Sequence, residues 1–350
     1  MCVGEIRIAI AGIGNCCSSL VQGIYFYGKN SDKTGLLHED LSGYKITDIK
    51  IVAAFDISDE KVGKDLSKAI YSNPNQPYQK IEIPDLGVKV QMGIDLDKND
   101  DNGDVLNIIK RSKEKTVNVS EILQKTEADM LLNLISGGSD NSSIAYADAA
   151  LKAGCAFLNA APTSIATDNV LALKYFKAGI PLAGDDILDQ IGATALHISL
   201  LEFLISRGAK VDESYQLDVG GGTESINTLE KTRNTKRDIK TATVKSHVPY
   251  QFPLVSGSTD FVDFLKNSRD SFFWIKGTYF GGAPYSIDVK LSSVDSNNGG
   301  SILADIIRGL KISETKGYKG PVNELCSYGF KKSKQTTLAD AYNSFKKLTG

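Results

Sequence analysis

Arg7-Ile8-Ala9-Ile10-Ala11-Gly12-Ile13-Gly14-Asn15-Cys16-Cys17-Ser18-Ser19-Leu20-Val21 runs an apolar segment into a Gly-x-Gly turn and then into a stretch able to form a helix. A continuous apolar run of this kind suits a strand buried on both faces of a parallel sheet. Gly12 permits the tight turn, and Gly14 lets the backbone approach a ligand with no Cβ in the way. The helix starting near Asn15 then aims its unsatisfied N–H groups and positive dipole end at that ligand, an arrangement suited to a pyrophosphate. The third glycine of the usual dinucleotide fingerprint is missing, so the plain alternative is a strand–helix turn with no ligand. The position after a strand and before a helix favours the dinucleotide reading.

Working outward, strand and helix patterns alternate over the first two hundred residues. Residues 49–55 read as a second strand and end at Asp56, where an acidic side chain would hold the ribose hydroxyls of a dinucleotide. The usual spacing from the glycines is about 20 residues; here an insertion over residues 28–44 lengthens it. The alternative for Asp56 is a cap on the stretch that follows. Residues 71–116 are polar, with Pro74, Pro77 and Pro84, and read as a surface excursion rather than a linker. Residues 128–135 form a continuous apolar strand ending in Ser136-Gly137-Gly138-Ser139, and a helix follows through Lys152. Residues 155–159 and 180–186 are two more strands, the latter ending in Gly184-Asp185-Asp186. Such polar strand ends are where an open α/β sheet binds its ligand.

After Arg207 the pattern changes. Residues 285–291 alternate apolar and polar, as in a strand with one solvated face, and 272–280 and 215–219 are similar. Residues 302–313 and 338–348 return to helix. The expected architecture is therefore α/β: a Rossmann-type, doubly wound parallel sheet with an inserted α+β, mostly antiparallel, substrate and oligomerisation domain. The expected units are 1–207 for the dinucleotide, 208–292 for catalysis, and 293–350 packing back on the first.

The chain has 350 residues, 41% hydrophobic and 23% charged, with a formal net charge of -2. No broad basic surface results, which excludes nucleic acid as an expected partner. Glu5 and Arg7 break any signal-peptide core, and no apolar run reaches the ~18 residues of a membrane span. The five cysteines, Cys16 and Cys17 adjacent among them, have neither disulfide nor metal-ligand spacing. No metal ligand set is expected, and a cytoplasmic enzyme is the natural class.

Lys236 and Lys240 are four residues apart, so on a helix they share a face. Two ammonium groups so placed repel, which favours one being neutral near pH 7 and able to act as a base. A solvated basic face is the bland account, and spacing alone favours it. Of the three histidines, His197 sits among apolar neighbours and reads as structural, His38 lies in the insertion, and His247 follows the lysine segment.

Matches in order from end to end make the chain resemble the compact archaeal and bacterial type of myo-inositol-1-phosphate synthase. They are the turn at 11–16 with Ser18-Ser19-Leu20-Val21-Gln22-Gly23; Gly184-Asp185-Asp186 with Gln190, Gly192, Ala193 and Thr194; and Ile239-Lys240-Thr241 with Val244 and Ser246. Asp260-Phe261-Val262 with Phe264-Leu265, Asp295-Ser296 with Asn298, and Pro321-Val322 with Tyr328 and Lys331 follow. The resemblance implies conversion of glucose 6-phosphate to an inositol phosphate with NAD and no net redox change. C5 is oxidised, a C6 proton is lost, the enolate closes on the C1 aldehyde, and C5 is reduced again. By position it implies cations at Lys236, Lys240 and Lys331, one of them the base, with Asp295 orienting a lysine or a substrate hydroxyl. It assigns Gly12, Ile13, Gly14, Asn15, Cys16, Asp56, Ser136, Asp185, Asp186 and Thr194 to the cofactor. It also implies a homotetramer whose sheets pair.

The sequence departs from the family pattern at three places. Gly222 stands for an expected asparagine, Glu224 for an aspartate, and Arg269 for a lysine. Arginine keeps the charge and can clamp phosphate but cannot serve as a base, and Lys266, three residues earlier, is a candidate to take the lysine's place. These changes leave open the sugar phosphate used and a monovalent or divalent cation at the carboxylate. The rivals are a paralogue acting on a different phosphorylated sugar and a non-catalytic NAD-binding protein.

Overall fold

A computed structural model describes residues 4–97, 109–333 and 336–350. Residues 98–108 of the polar excursion, and Cys2, lie outside the described residues. The strands in chain order are β1 (Ile6–Ala11), β2 (Asp40–Leu41), β3 (Tyr44–Lys45), β4 (Ile49–Asp56), β5 (Val90–Met92), β6 (Met130–Asn133) and β7 (Ala156–Asn159). β8 (Pro181–Ala183), β9 (Lys210–Gly220), β10 (Leu254–Phe261), β11 (Ser268–Thr278), β12 (Pro284–Val294) and β13 (Gly320–Pro321) complete them. The helices are α1 (Asn15–Lys29), α2 (Leu66–Ala69), α3 (Val119–Lys125), α4 (Asp140–Ala153), α5 (Asn169–Ala178) and α6 (Ala193–Ser206). They continue with α7 (Thr223–Asn227), α8 (Arg233–Lys245), α9 (Asp295–Thr315), α10 (Asn323–Gly329) and α11 (Leu338–Thr349).

The first sheet has the order β13-β8-β7-β6-β1-β4-β5, and every pairing is parallel. The chain leaves β1 for β4 on one side and reaches β6 on the other, so the strand order reverses beside β1. A ligand crevice opens at such a switch point, at the carboxyl ends of the strands. β1 and β6 are almost wholly buried, as their unbroken apolar runs require. The excursion proves less separate than its composition implies: Val90–Met92 joins the sheet as its edge strand beside β4.

The second sheet runs β10-β9-β11-β12. β9–β11 and β11–β12 are antiparallel and β10–β9 is parallel, so the sheet is mixed but mostly antiparallel. β11 starts four residues earlier than the aromatic run alone indicates. Its inner face rests on α6 and α8 through Ile198, Leu201, Val211, Val244, Val248 and Ile275. His197 lies in that layer, its ring nitrogens 2.8 Å from Ser214 Oγ and 3.2 Å from Gln216 Oε1. Burial pushes its pKa down to about 4, so it is a neutral structural residue.

α9 returns the chain to the first sheet and buries Ile302, Leu303, Ile306, Ile307 and Leu310 in its core. The same helix clamps the insertion. Buried Arg308 donates to the carbonyls of His38 (3.0 Å), Tyr44 (3.3 Å) and Glu39 (3.4 Å), and pairs with Asp305 at 2.6 Å. Asp305 Oδ2 also meets His38 Nδ1 at 2.7 Å. Among the described residues, no helix is long and apolar enough to cross a membrane.

Candidate active site

A cleft opens where the turn after β1 faces the ends of β9 and β11. Gly14, Asn15, Cys16 and Ser136 line it from the first sheet; Glu224, Lys236, Lys240 and Arg269 line it from the second. Asp186, Asp189, Asp295 and Lys331 complete the polar lining.

The turn is built on backbone constraints. Gly12 has φ +92°, and a Cβ there would sit 2.7 Å from the Leu134 carbonyl carbon, so only glycine fits between β1 and β6. Gly14 precedes α1 with open space where a Cβ would be, and no side chain caps the helix. The first N–H groups of α1 thus face the cleft unpartnered by a side chain. Asp56 secures the turn from behind. Its Oδ2 accepts from Ile13 N–H at 2.7 Å, and its Oδ1 accepts from Ile57 and Ser58 N–H. It caps no helix, since α2 is capped by Asp65. Asn75, from the excursion, donates to the Ile13 carbonyl at 2.9 Å.

Not all predicted cofactor residues reach the cleft. Gly12, Ile13, Asp56, Asp185 and Thr194 are not among its lining. Asp185 is fully buried and saturated by donors: Asn159 Nδ2, the N–H groups of Ile165, Ala166 and Thr167, and Thr167 Oγ1. It shapes the 163–167 loop. Asp186, the next residue, does face the cleft and has φ +60°, a conformation that costs a non-glycine residue about 1–3 kcal/mol. Its carbonyl accepts from Lys331 N–H at 2.7 Å and its own N–H donates to the Ala161 carbonyl.

The lysine face is not a solvated one. α8 turns Lys236 and Lys240 inward, and both are nearly buried. Lys236 pairs with Glu224 and lies beside Gly137. Lys240 Nζ donates to Asp218 Oδ2 at 2.6 Å. Lys331 Nζ meets Asp186 Oδ1 at 3.1 Å and donates to the Ile187 carbonyl at 2.5 Å. Asp295 orients an arginine rather than a lysine, with Arg269 Nη2 at 2.7 Å from its Oδ2. Lys266 is exposed and does not line the cleft, so it does not replace the expected lysine. Ser296 lies in the first turn of α9, whose N-cap is Val294. Its Oγ lies 2.7 Å from Ser19 Oγ and joins α1 to α9. His247 pairs with Glu202 at 2.7 Å and is not among the lining residues.

These environments separate the lysines. Burial depresses the Lys240 pKa, the charges of Arg269 and Lys331 depress it further, and Asp218 only partly offsets them. Lys331 moves the other way, because Asp186, Asp189 and Glu224 outweigh its burial. Lys236 next to Glu224 pulls that carboxyl down to about 2. Asp218, pushed up by burial, is still held below the carboxylate range by Lys240 and Arg269. Burial thus prevails at Lys240 and the neighbouring carboxylates prevail at Lys331.

Sequence reading passes over Asp218 and Asp189. Asp218 carries a signal, being a carboxylate in the inward phase of β9 beside Gln216, whose Nε2 donates to both of its oxygens at 3.0 Å. Asp189 follows the short strand β8 with no periodic signal at all.

A parallel, doubly wound sheet, joined to a second sheet across a cleft of paired lysines and carboxylates, defines a two-sheet α/β protein built around a charged cleft. A family model described as myo-inositol-1-phosphate synthase matches residues 192–296. The inositol-3-phosphate synthase of Mycolicibacterium smegmatis is 36% identical over 348 residues, 96% of this chain and 95% of its own. That of Corynebacterium glutamicum is 38% identical over 342 residues, covering 94% and 93%. The crystal structure of Ari2 superposes with a TM-score of 0.78 at 30% identity, over 99% of each chain. The chain belongs to the myo-inositol-1-phosphate synthase family and is an enzyme.

Proposed function

We propose that the enzyme converts D-glucose 6-phosphate to 1D-myo-inositol 3-phosphate, with NAD as a cofactor that is not consumed. The observation that carries this reading is the convergence of Lys236, Lys240, Lys331, Arg269 and Asp295 on one cleft that also contains the open Gly14 turn. The curated relatives, similar over nearly their whole length, carry the name of this activity.

The turn fits the cofactor: Gly14 leaves room for a pyrophosphate, and Asn15, Cys16 and Cys17 begin a helix without a side-chain cap. Held by the Gly14 turn and the start of α1, NAD would supply reversible hydride transfer at a substrate alcohol. The chain's own groups do the remaining work. Lys240 Nζ, whose pKa burial depresses, takes the C6 proton when it has lost its own, and Asp218 Oδ2 holds that nitrogen in place. The cations of Lys331 and Arg269 offset the charge that develops on the substrate oxygen as the enolate forms. Lys236 exchanges part of its pairing with Glu224 for the phosphate. The working assembly is a homotetramer in which the outer faces of the second sheets pair.

The test is product identification by phosphorus NMR and mass spectrometry after incubation with glucose 6-phosphate and catalytic NAD. Inositol phosphate is expected; unchanged glucose 6-phosphate with folded, NAD-binding protein overturns the reading. One observation favours a second reading, in which a different phosphorylated sugar is the substrate. Gly222, Glu224 and Arg269, the three departures from the family pattern, all line the cleft. Turnover of another sugar phosphate, with none of glucose 6-phosphate, decides for it.

A further inference from the structure

The charges that line the cleft form direct pairs with one exception. Lys236 pairs with Glu224, Lys240 with Asp218, Lys331 with Asp186, and Arg269 with Asp295. Asp189 remains. Among the described residues no hydrogen bond or ion pair engages its carboxylate, although it lines the same cleft. Its position is specific. A Cβ on Gly192 would lie 2.5 Å from Asp189 Cβ and 2.9 Å from Oδ2, so glycine at the start of α6 is what leaves room for the side chain. On the other side, Oδ1 faces the first turn of α9, 3.8 Å from where a Cβ on Gly299 would be.

We infer that Asp189 is a specificity-determining residue: it accepts hydrogen bonds from hydroxyls of the substrate and turns the phosphate away from the α6–α9 end of the cleft. An ionised carboxylate offers only acceptors, which complement a pair of hydroxyls and repel a dianion. The phosphate is then left to the α8 wall, where Lys236 sits. The groups that act on Asp189 are Lys331 and Arg269, which favour its charge, and Asp295 and Glu224, which oppose it. Burial is the largest influence and pushes its pKa up to about 6, so at neutral pH the group still carries its charge. The inference rests on a phosphorylated, hydroxylated substrate, as in the function proposed above, but not on which sugar it is.

The test compares the binding of inorganic phosphate and glucose 6-phosphate by calorimetry, in the NAD-loaded protein and in Asp189→Asn and Asp189→Ser. Asparagine keeps the shape and serine relieves any crowding, so a folding defect in one variant leaves the other informative. Both variants are expected to bind inorganic phosphate about tenfold more tightly, since a nearby like charge has gone. Their preference for glucose 6-phosphate over inorganic phosphate should fall by at least the same factor. A damaged site does not gain affinity for an anion, so a merely structural role cannot produce that result. Unchanged or weaker phosphate binding in both variants overturns the inference. The phosphate arm needs no turnover and so stands apart from failure of the proposed reaction.

Discussion

Lys240 and Lys236 lie one helical turn apart and yet meet different carboxylates, Asp218 and Glu224, which is why the proposed function gives them different work. Sequence spacing brings the two onto one face but says nothing of burial, and burial is what depresses the Lys240 pKa. If neutral Lys240 is the base, kcat/KM rises with pH as its ammonium loses a proton. Removing the charge of Asp218, which favours the ammonium, should move that rise to lower pH. The pH profile of Asp218→Asn checks it, and a shift to higher pH would remove Lys240 from the role. Lys240→Arg keeps the charge without a usable base, so kcat should fall by a factor of about 10²–10⁴ with binding of NAD retained. At this scale the sequence was legible for residues whose chemistry is tied to a motif, such as Gly12 and Gly14. It was not legible for Asp189, whose meaning comes from the absence of a partner that only the fold could reveal.

Elements show the same division. β1, β6, β7 and β8 are readable as strands because their apolar runs are almost wholly buried, and β4 is readable from the apolar run that follows exposed Lys50. β5 has three residues inside a polar stretch and joins the sheet only through the edge of β4, so pattern alone could not place it. The insertion gives no periodic signal, yet Arg308 of α9 fastens it with hydrogen bonds to the carbonyls of His38, Glu39 and Tyr44. Arg308→Ala would leave Asp305 buried without its cation, which should destabilise the fold by about 3–5 kcal/mol. Urea unfolding measures this; a loss below about 1 kcal/mol would mean that the insertion is held by other contacts. Gly12→Ala is expected to cost more than an ordinary surface change, through both positive φ and the clash with Leu134. A melting temperature equal to the native one would contradict that account.

At the scale of the molecule, the end of β9 nearest the cleft is inverted relative to the rest of the second sheet, whose inner face is apolar at Val211 and Ile275. Along β9 the inward positions Gln216 and Asp218 are polar, and the outward positions Tyr215 and Leu217 are apolar. Phase divides that end of β9: Asp218 turns toward Lys240, while Tyr215 and Leu217 lie on the opposite, partly exposed face. Val255 from β10 and Phe272 from β11 extend that outer face, and Tyr215 stacks on Trp274 with ring centroids 5.6 Å apart. A contiguous apolar face of this kind marks an interaction surface. Pairing with a second copy explains why it is kept, as the proposed tetramer requires. Phe272→Asp together with Leu217→Asp should then reduce the native mass from four chains of 37.8 kDa to a smaller species, read by light scattering after size exclusion. A native protein that already runs as a single chain would leave the apolar face to some other partner. If the variant dissociates but keeps its NAD affinity, the cofactor site is complete within one chain. If dissociation also abolishes turnover, pairing of the outer face holds β9, and with it Asp218 and Lys240, in register for the chemistry.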